Sequence, residues 1–291
     1  MYELAFDPVV PGRIWGAMSN THDIPNDNVI SGRHRVIMDG GVAFSDDFGI
    51  SWKKCDLPAA PALSVVLDSN SPADRRVLYA SLFEKGVYKS TDGGATWVSA
   101  SEGLGHPRNL RCCKLHRSAD GTLFVLITAK KVDGGELTLD GVGLYRSTDA
   151  AVTWSKITGP LQLHWPKDFT IKPGDPRTIL LSAAGFRGHG DEGGLYRTTD
   201  GGMTWKKLAQ KEREHFGACY HPSHPSWIYL TCTEGAHEAG LYLSRDDGAT
   251  WEPFTTLPFR NIQRVVFDPA RPQEIILTTF GSSILRGPAE P

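Results

Sequence analysis

One octapeptide returns five times in a chain of 291 residues, and it constrains the fold more than any bulk property does. It reads Ser90-Thr91-Asp92-Gly93-Gly94-Ala95-Thr96-Trp97, recurs at Ser147–Trp154 and Thr198–Trp205, and has looser copies at Ser45–Trp52 and Ser244–Trp251. The five tryptophans stand 45, 57, 51 and 46 residues apart. A period of that length belongs to stacked supersecondary units.

Each copy reads as the turn of a hairpin. Alternating segments such as Gly86-Val87-Tyr88-Lys89-Ser90 precede it, the period-2 pattern of a strand with one buried face. The central carboxylates Asp47, Asp92, Asp149, Asp200 and Asp246 are placed to accept backbone N–H bonds, and Gly49, Gly94, Gly202 and Gly248 supply positive φ. Trp52, Trp97, Trp154, Trp205 and Trp251 are expected to wedge between neighbouring sheets. The third copy has Ala150-Ala151 where glycines belong, which predicts either a different turn or strain at Ala151.

These residues resemble the Asp-box, or BNR repeat, of sialidases, xyloglucan-cleaving glycosidases and sortilin-type receptors, and with its flanking strands the likeness covers nearly the whole chain. It implies an all-β fold, a β-propeller built of four-stranded antiparallel sheets. In such relatives the box lies away from the catalytic face, so its Asp and Trp residues are expected to be structural.

Along the chain, apolar strands end near Asp-Pro, as at Leu4–Pro8 and Val265–Pro269, and a second strand follows each. Six such starts are recognisable, giving approximate blades 1–57, 58–99, 100–157, 158–208, 209–254 and 255–287, one propeller over 1–287 and a tail over 288–291. The last blade stops after three strands. The expectation is therefore an open final blade, or an N-terminal segment outside the sequence that supplies its fourth strand and a seventh blade.

Lys plus Arg number 31 against 33 Asp plus Glu, a net charge of −2, which leaves no electrostatic footprint for nucleic acid. No apolar run is long enough to span a membrane. Met1 leads directly into strand-like Tyr2–Phe6, with no signal peptide in this numbering. Either the protein is cytoplasmic or the chain is a piece of a longer protein, which the resemblance would make secreted or periplasmic. Five cysteines leave at least one without an internal partner; buried free thiols are expected, with Cys219 and Cys232 as the candidate cross-strand pair.

In a four-stranded meander the boxes and Asp-Pro turns share one end, so the loops joining second to third strands gather at the other. Those loops are long and charged, except in the second and sixth blades, and long loops on a rigid scaffold are where binding and catalysis concentrate. They carry His22, Asp23, Arg35 and Asp39 in the first blade, Arg187, His189, Asp191 and Glu192 in the fourth, and Glu234 and His237 in the fifth, while Trp165 adds an aromatic ring on a neighbouring link. Carboxylates, cations and an exposed ring suit a carbohydrate ligand.

A sialidase needs three substrate-gripping arginines and a Tyr nucleophile; Arg13-Ile14-Trp15 echoes its first motif faintly, and no Tyr follows Tyr242. Met38-Asp39-Gly40-Gly41-Val42 is similar to the xyloglucanase segment that carries a catalytic carboxylate, and Asp191-Glu192-Gly193-Gly194 repeats the texture. Asp39 with Asp191 is the expected catalytic pair, followed by Asp23 and Glu192. Those enzymes set two propellers about a cleft, so a second propeller of the same parent chain is an expected partner beside the polysaccharide. The competing class is a non-catalytic glycan- or protein-binding scaffold. No metal-ligand spacing occurs, so no cofactor is expected, with Ca²⁺ in an acidic loop as the open alternative.

Overall fold

The computed structural model describes residues 1–21, 29, 32, 36–131, 137–159, 161–185, 193–209, 215–232, 239–268, 270–279 and 283–291, with the backbone alone at His215 and Phe216. It divides into two compact units, Met1–Ile157 and Thr158–Pro291.

The first unit holds three meander sheets. The first is β1 (Glu3–Phe6), β2 (Ile14–Ser19), β3 (Gly40–Ser45) and β4 (Lys53–Lys54); the second is β5 (Ala62–Leu67), β6 (Leu78–Leu82), β7 (Gly86–Ser90) and β8 (Val98–Ser99). The third pairs β9 (Cys112–Arg117) with β10 (Leu123–Ile127), passes through a ribbon of β11 (Lys130–Lys131) and β12 (Leu137–Thr138), and returns as β13 (Gly143–Ser147) and β14 (Ser155–Lys156).

The second unit holds β15 (Trp165–Lys172), β16 (Asp175–Ala184), β17 (Gly194–Thr198) and β18 (Lys206–Ala209), then β19 (His215–Tyr220), β20 (Ile228–Cys232), β21 (Gly240–Ser244) and β22 (Glu252–Pro253). Its last sheet has three strands among the described residues, β23 (Ile262–Asp268), β24 (Arg271–Thr279) and β25 (Ile284–Pro288). Among the described residues every strand pairing in the six sheets is antiparallel.

The second strands of the second and fifth sheets are buried on both faces, because a neighbouring sheet covers each side, and every residue of β6, β10 and β20 is buried. Such strands read as continuous apolar runs, not alternating ones. The cores are thus the spaces between sheets. Trp15, Val42, Leu78 and Ala80 fill the first, Tyr79, Val87, Leu115 and Val125 the second. In the other unit Leu180, Leu195, Ile228 and Leu230 pack together, as do Tyr229, Leu241, Ile275 and Leu277.

All five box turns have one hydrogen-bond pattern. Asp92 accepts from the Ser90 hydroxyl at 2.8 Å, from Thr96 N at 2.9 Å and from Thr96 Oγ1 at 2.5 Å. Ser90 Oγ in turn accepts from Gly94 N at 2.8 Å. Asp47, Asp149, Asp200 and Asp246 do the same. The fourth and fifth residues are left-handed in every copy, including Phe48 (φ 63°), Ala150 (58°), Ala151 (64°) and Asp247 (60°). The alanines therefore adopt the glycine geometry and bear its strain; the carboxylate network outweighs the local preference.

Left-handed geometry at the fourth position presents its carbonyl to the preceding sheet. Trp15 Nε1 donates to Gly93 O at 2.9 Å, Lys89 Nζ to Ala150 O at 3.0 Å and Arg197 Nη1 to Asp247 O at 2.7 Å. Three of the box tryptophans lean the same way: Trp97 packs in the core between the first and second sheets, Trp154 donates to Ala100 O at 2.8 Å, and Trp251 joins the cluster of Leu180 and Leu195. A buried ion pair adds to the first junction, where Arg76, 2 % exposed, grips Asp7 through both carboxylate oxygens at 2.6 and 3.0 Å.

Cys219 stands opposite Tyr229 and Cys232 opposite His215, and none of the five cysteines is in a disulfide. The candidate cross-strand disulfide is thereby corrected: the register separates the two residues along the sheet.

Candidate functional site

The strand β3 begins with two glycines because the chain turns sharply there. Gly40 and Gly41 have φ of 136° and 112°, and a side chain at Gly40 would collide with the carbonyl of Met18. This corner holds Asp39 at the end of the first sheet opposite the box turn. Asp39 Oδ1 accepts from Gly40 N at 2.7 Å and Lys54 Nζ at 3.0 Å, and Oδ2 from Asn20 Nδ2 at 2.7 Å. The Lys54 ammonium first, then the Gly40 N–H, hold the carboxyl below the usual carboxylate range.

An ionised carboxylate of this kind can act as a base or accept sugar hydroxyls; it is not poised to donate a proton. It borders an open cavity of about 310 Å³ lined also by Met18, Asn20, Trp52 and Lys54. Trp52 reaches this cavity by lying along the sheet over Gly16, whose missing side chain leaves it room.

A second cluster lies on the tight turn joining β6 to β7, where the sequence showed a nearly bare connection. Glu84 is left-handed at φ 64° and accepts from Arg111 Nε at 2.9 Å, with Arg111 Nη2 at 2.8 Å and Lys130 Nζ at 3.3 Å. Burial raises the Glu84 pKa, but Arg111 and Lys130 outweigh it and leave the group below its ordinary value. Arg111 also reaches Val29 O at 3.3 Å, and Val29 is buried with Leu63 and Phe83. Asp140, at the end of β12, takes Arg108 Nη2 as an ion-pair partner with His106 Nδ1 4.0 Å away. Glu84 escaped the sequence reading because Arg111 lies 27 residues further on; the glycine at 86 marked a turn and nothing more.

Of the expected site residues, Asp39 and Trp165 are described. His22, Asp23, Arg35, Arg187, His189, Asp191, Glu192, Glu234 and His237 lie outside the described residues. Trp165 requires correction: it is the first residue of β15, opposite Ala184, and is 4 % exposed, with Lys167 Nζ 3.5 Å from its ring centroid. An exposed stacking face is therefore not offered there. Among the described residues no three His, Cys, Asp or Glu side chains could hold a metal ion, and no helix is long and apolar enough to cross a membrane.

A family model described as Sortilin-Vps10 (sortilin, neurotensin receptor 3) matches residues 193–284. The chain is similar to a xyloglucanase of Hypocrea jecorina, 25 % identical over 195 residues covering 58 % of this chain and 23 % of that protein. It is also similar to an oligoxyloglucan-reducing end-specific xyloglucanase of Emericella nidulans, 26 % identical over 189 residues covering 62 % and 22 %. The chain thus spans less than a quarter of either relative.

Among solved structures, an ancestral GH74 enzyme superposes with a TM-score of 0.67 at 15 % identity, covering 100 % of this chain and 35 % of that one. YCF48 from Cyanidioschyzon merolae gives 0.62 at 12 %, covering 99 % and 80 %. These likenesses show the fold, an all-β propeller, and no activity.

Proposed function

We propose that this chain is a glycoside hydrolase-like propeller that binds, and with a second body cleaves, a β-glucan of the xyloglucan class. The observation that supports this most is Asp39: a carboxylate fixed at a double-glycine corner beside an aromatic ring, in a chain whose matched curated relatives are both xyloglucanases. The five box turns read as Asp-box repeats, and residues 1–287 as one propeller. No cofactor enters the proposal.

Asp39 supplies the base or the hydroxyl-binding anion. The acid would come from elsewhere, with Asp191 and Glu192 the candidates; Glu192 stands six residues before the first hydroxyl residue of its box, as Asp39 does of its own. His22, Asp23, Arg35, Arg187, His189, Glu234 and His237 are the proposed substrate contacts. In a retaining or inverting mechanism one carboxyl must be protonated and the other ionised. Because the relatives are over four times longer than the matched span, the second carboxyl-bearing wall of the cleft is proposed to belong to a partner propeller.

Asp39→Asn tests this. Reducing-sugar release from xyloglucan by the chain with its partner propeller should fall by at least about 10³-fold, the scale of losing a catalytic base, while oligosaccharide affinity changes less than tenfold. Unchanged turnover would remove Asp39 from the mechanism. Retention of xyloglucan on affinity gels without any turnover would instead make this a glycan-binding scaffold.

A further inference from the structure

In the first, second and last sheets a carboxylate closes the turn after the first strand. Asp7 accepts from Val9 N and Val10 N at 2.9 and 3.1 Å, Asp68 from Asn70 N at 3.0 Å, and Asp268 from Ala270 N at 2.9 Å. In the fifth sheet the same position is His221, whose Nδ1 accepts from Ser223 N at 3.0 Å and His224 N at 3.2 Å. Its ring also meets Phe267 of the last sheet edge-on, with centroids 5.0 Å apart, and borders a cavity with Pro272. A carboxylate keeps its acceptors down to low pH. An imidazole does not, because a proton on Nδ1 turns the acceptor into a donor facing two N–H groups.

The surroundings make that event costly. His221 is 4 % exposed and packed among the rings of His224, Trp227, Tyr229 and Phe267, with centroids 4.6, 5.4, 6.2 and 5.0 Å away. The titratable and charged groups facing it are His224 on its own turn, Glu290 beyond β25, and Arg245, which lies over Trp227 and pairs with Glu252 and Glu290. Burial, then His224, favour the neutral ring, and the Pro272 backbone, then Glu290, oppose them less strongly. Tyr229 Oη donates to Ala289 O at 2.8 Å, so this corner also anchors the segment after β25.

We propose that His221 is a proton-operated latch between the fifth turn and the last sheet: protonation expels the ring, freeing the turn at 221–227 and loosening β23–β25. Because the folded form resists protonation, the latch is intact above the ordinary histidine value of about 6.5 and weakens as pH falls below it.

Hydrogen–deuterium exchange of the whole chain between pH 7.5 and 5.0, corrected for intrinsic rates, tests this. Protection of residues 262–279 should fall, by up to about tenfold per pH unit below 6.5 for one linked proton, while β10 keeps its protection. His221→Asp, or His221→Asn if the first does not fold, should flatten that response, and His224→Gln should keep it. A flat wild-type profile, an unaltered slope in the His221 variants, or loss of the slope in His224→Gln would each overturn the latch.

Discussion

At the scale of single residues, the molecule tolerates local strain where a network over-determines the geometry. Ala150 is exposed, has φ 58°, and lends only its carbonyl to Lys89. Relief of about 1–2 kcal/mol of left-handed strain is partly offset by the extra unfolded-chain freedom of glycine. Ala150→Gly should therefore raise unfolding stability by about 0.5–1 kcal/mol in urea titrations; a decrease would show that the strain has already relaxed elsewhere. Asp7 presents the opposite case. With its partner Arg76 2 % exposed, Asp7→Asn strands a buried guanidinium and should cost roughly 3–5 kcal/mol, whereas joint replacement by Asp7→Leu and Arg76→Met should recover most of that. Equal destabilisation of single and double variants would refute the stranded-charge account.

At the scale of the element, the box turn is a carboxylate wrapped in donors. The hydroxyl and N–H of the residue four positions on, then the first-position hydroxyl, lower Asp47, Asp149 and Asp246 to about 2 and push Asp200 down further. For Asp92 burial acts in the opposite sense and the Thr96 and Ser90 donors outweigh it. Folded values lie below the unfolded one of about 3.9, so this contribution is complete above about pH 4 and disappears as pH falls towards 2. The thermal midpoint should drop across that window, and a variant with two box Asp→Asn changes should start lower and drop less. Parallel curves for variant and wild type would separate acid loss from the boxes.

At the scale of the whole molecule, stability belongs to the spaces between sheets, as in other stacked-repeat proteins. Trp15 is 1 % exposed, fills the core between the first and second sheets, and bonds the second box turn. Trp15→Ala should cost about 3–5 kcal/mol. Exchange protection should fall first in β5 and β6, before β10; simultaneous loss across all three strands would mean that the first unit opens as a single cooperative piece.

Much of this architecture was legible in the residues themselves. The hairpin turns, their acceptor carboxylates and the six strand starts follow from short-range chemistry, because an Asp bonding N–H groups four residues away needs nothing beyond its own segment. The corner at Asp39 was legible for the same reason, since the two glycines that follow it encode the turn. What neighbours supply was not legible. Glu84 gains its meaning from Arg111, His221 from Phe267, and the buried Trp165 from the packing around it, contacts whose partners are separated along the chain or chosen by packing. The strained alanines show both at once: sequence marked the conflict between residue and turn, and the fold decided it, because two left-handed residues cost less than dismantling the hydrogen-bonded corner they belong to.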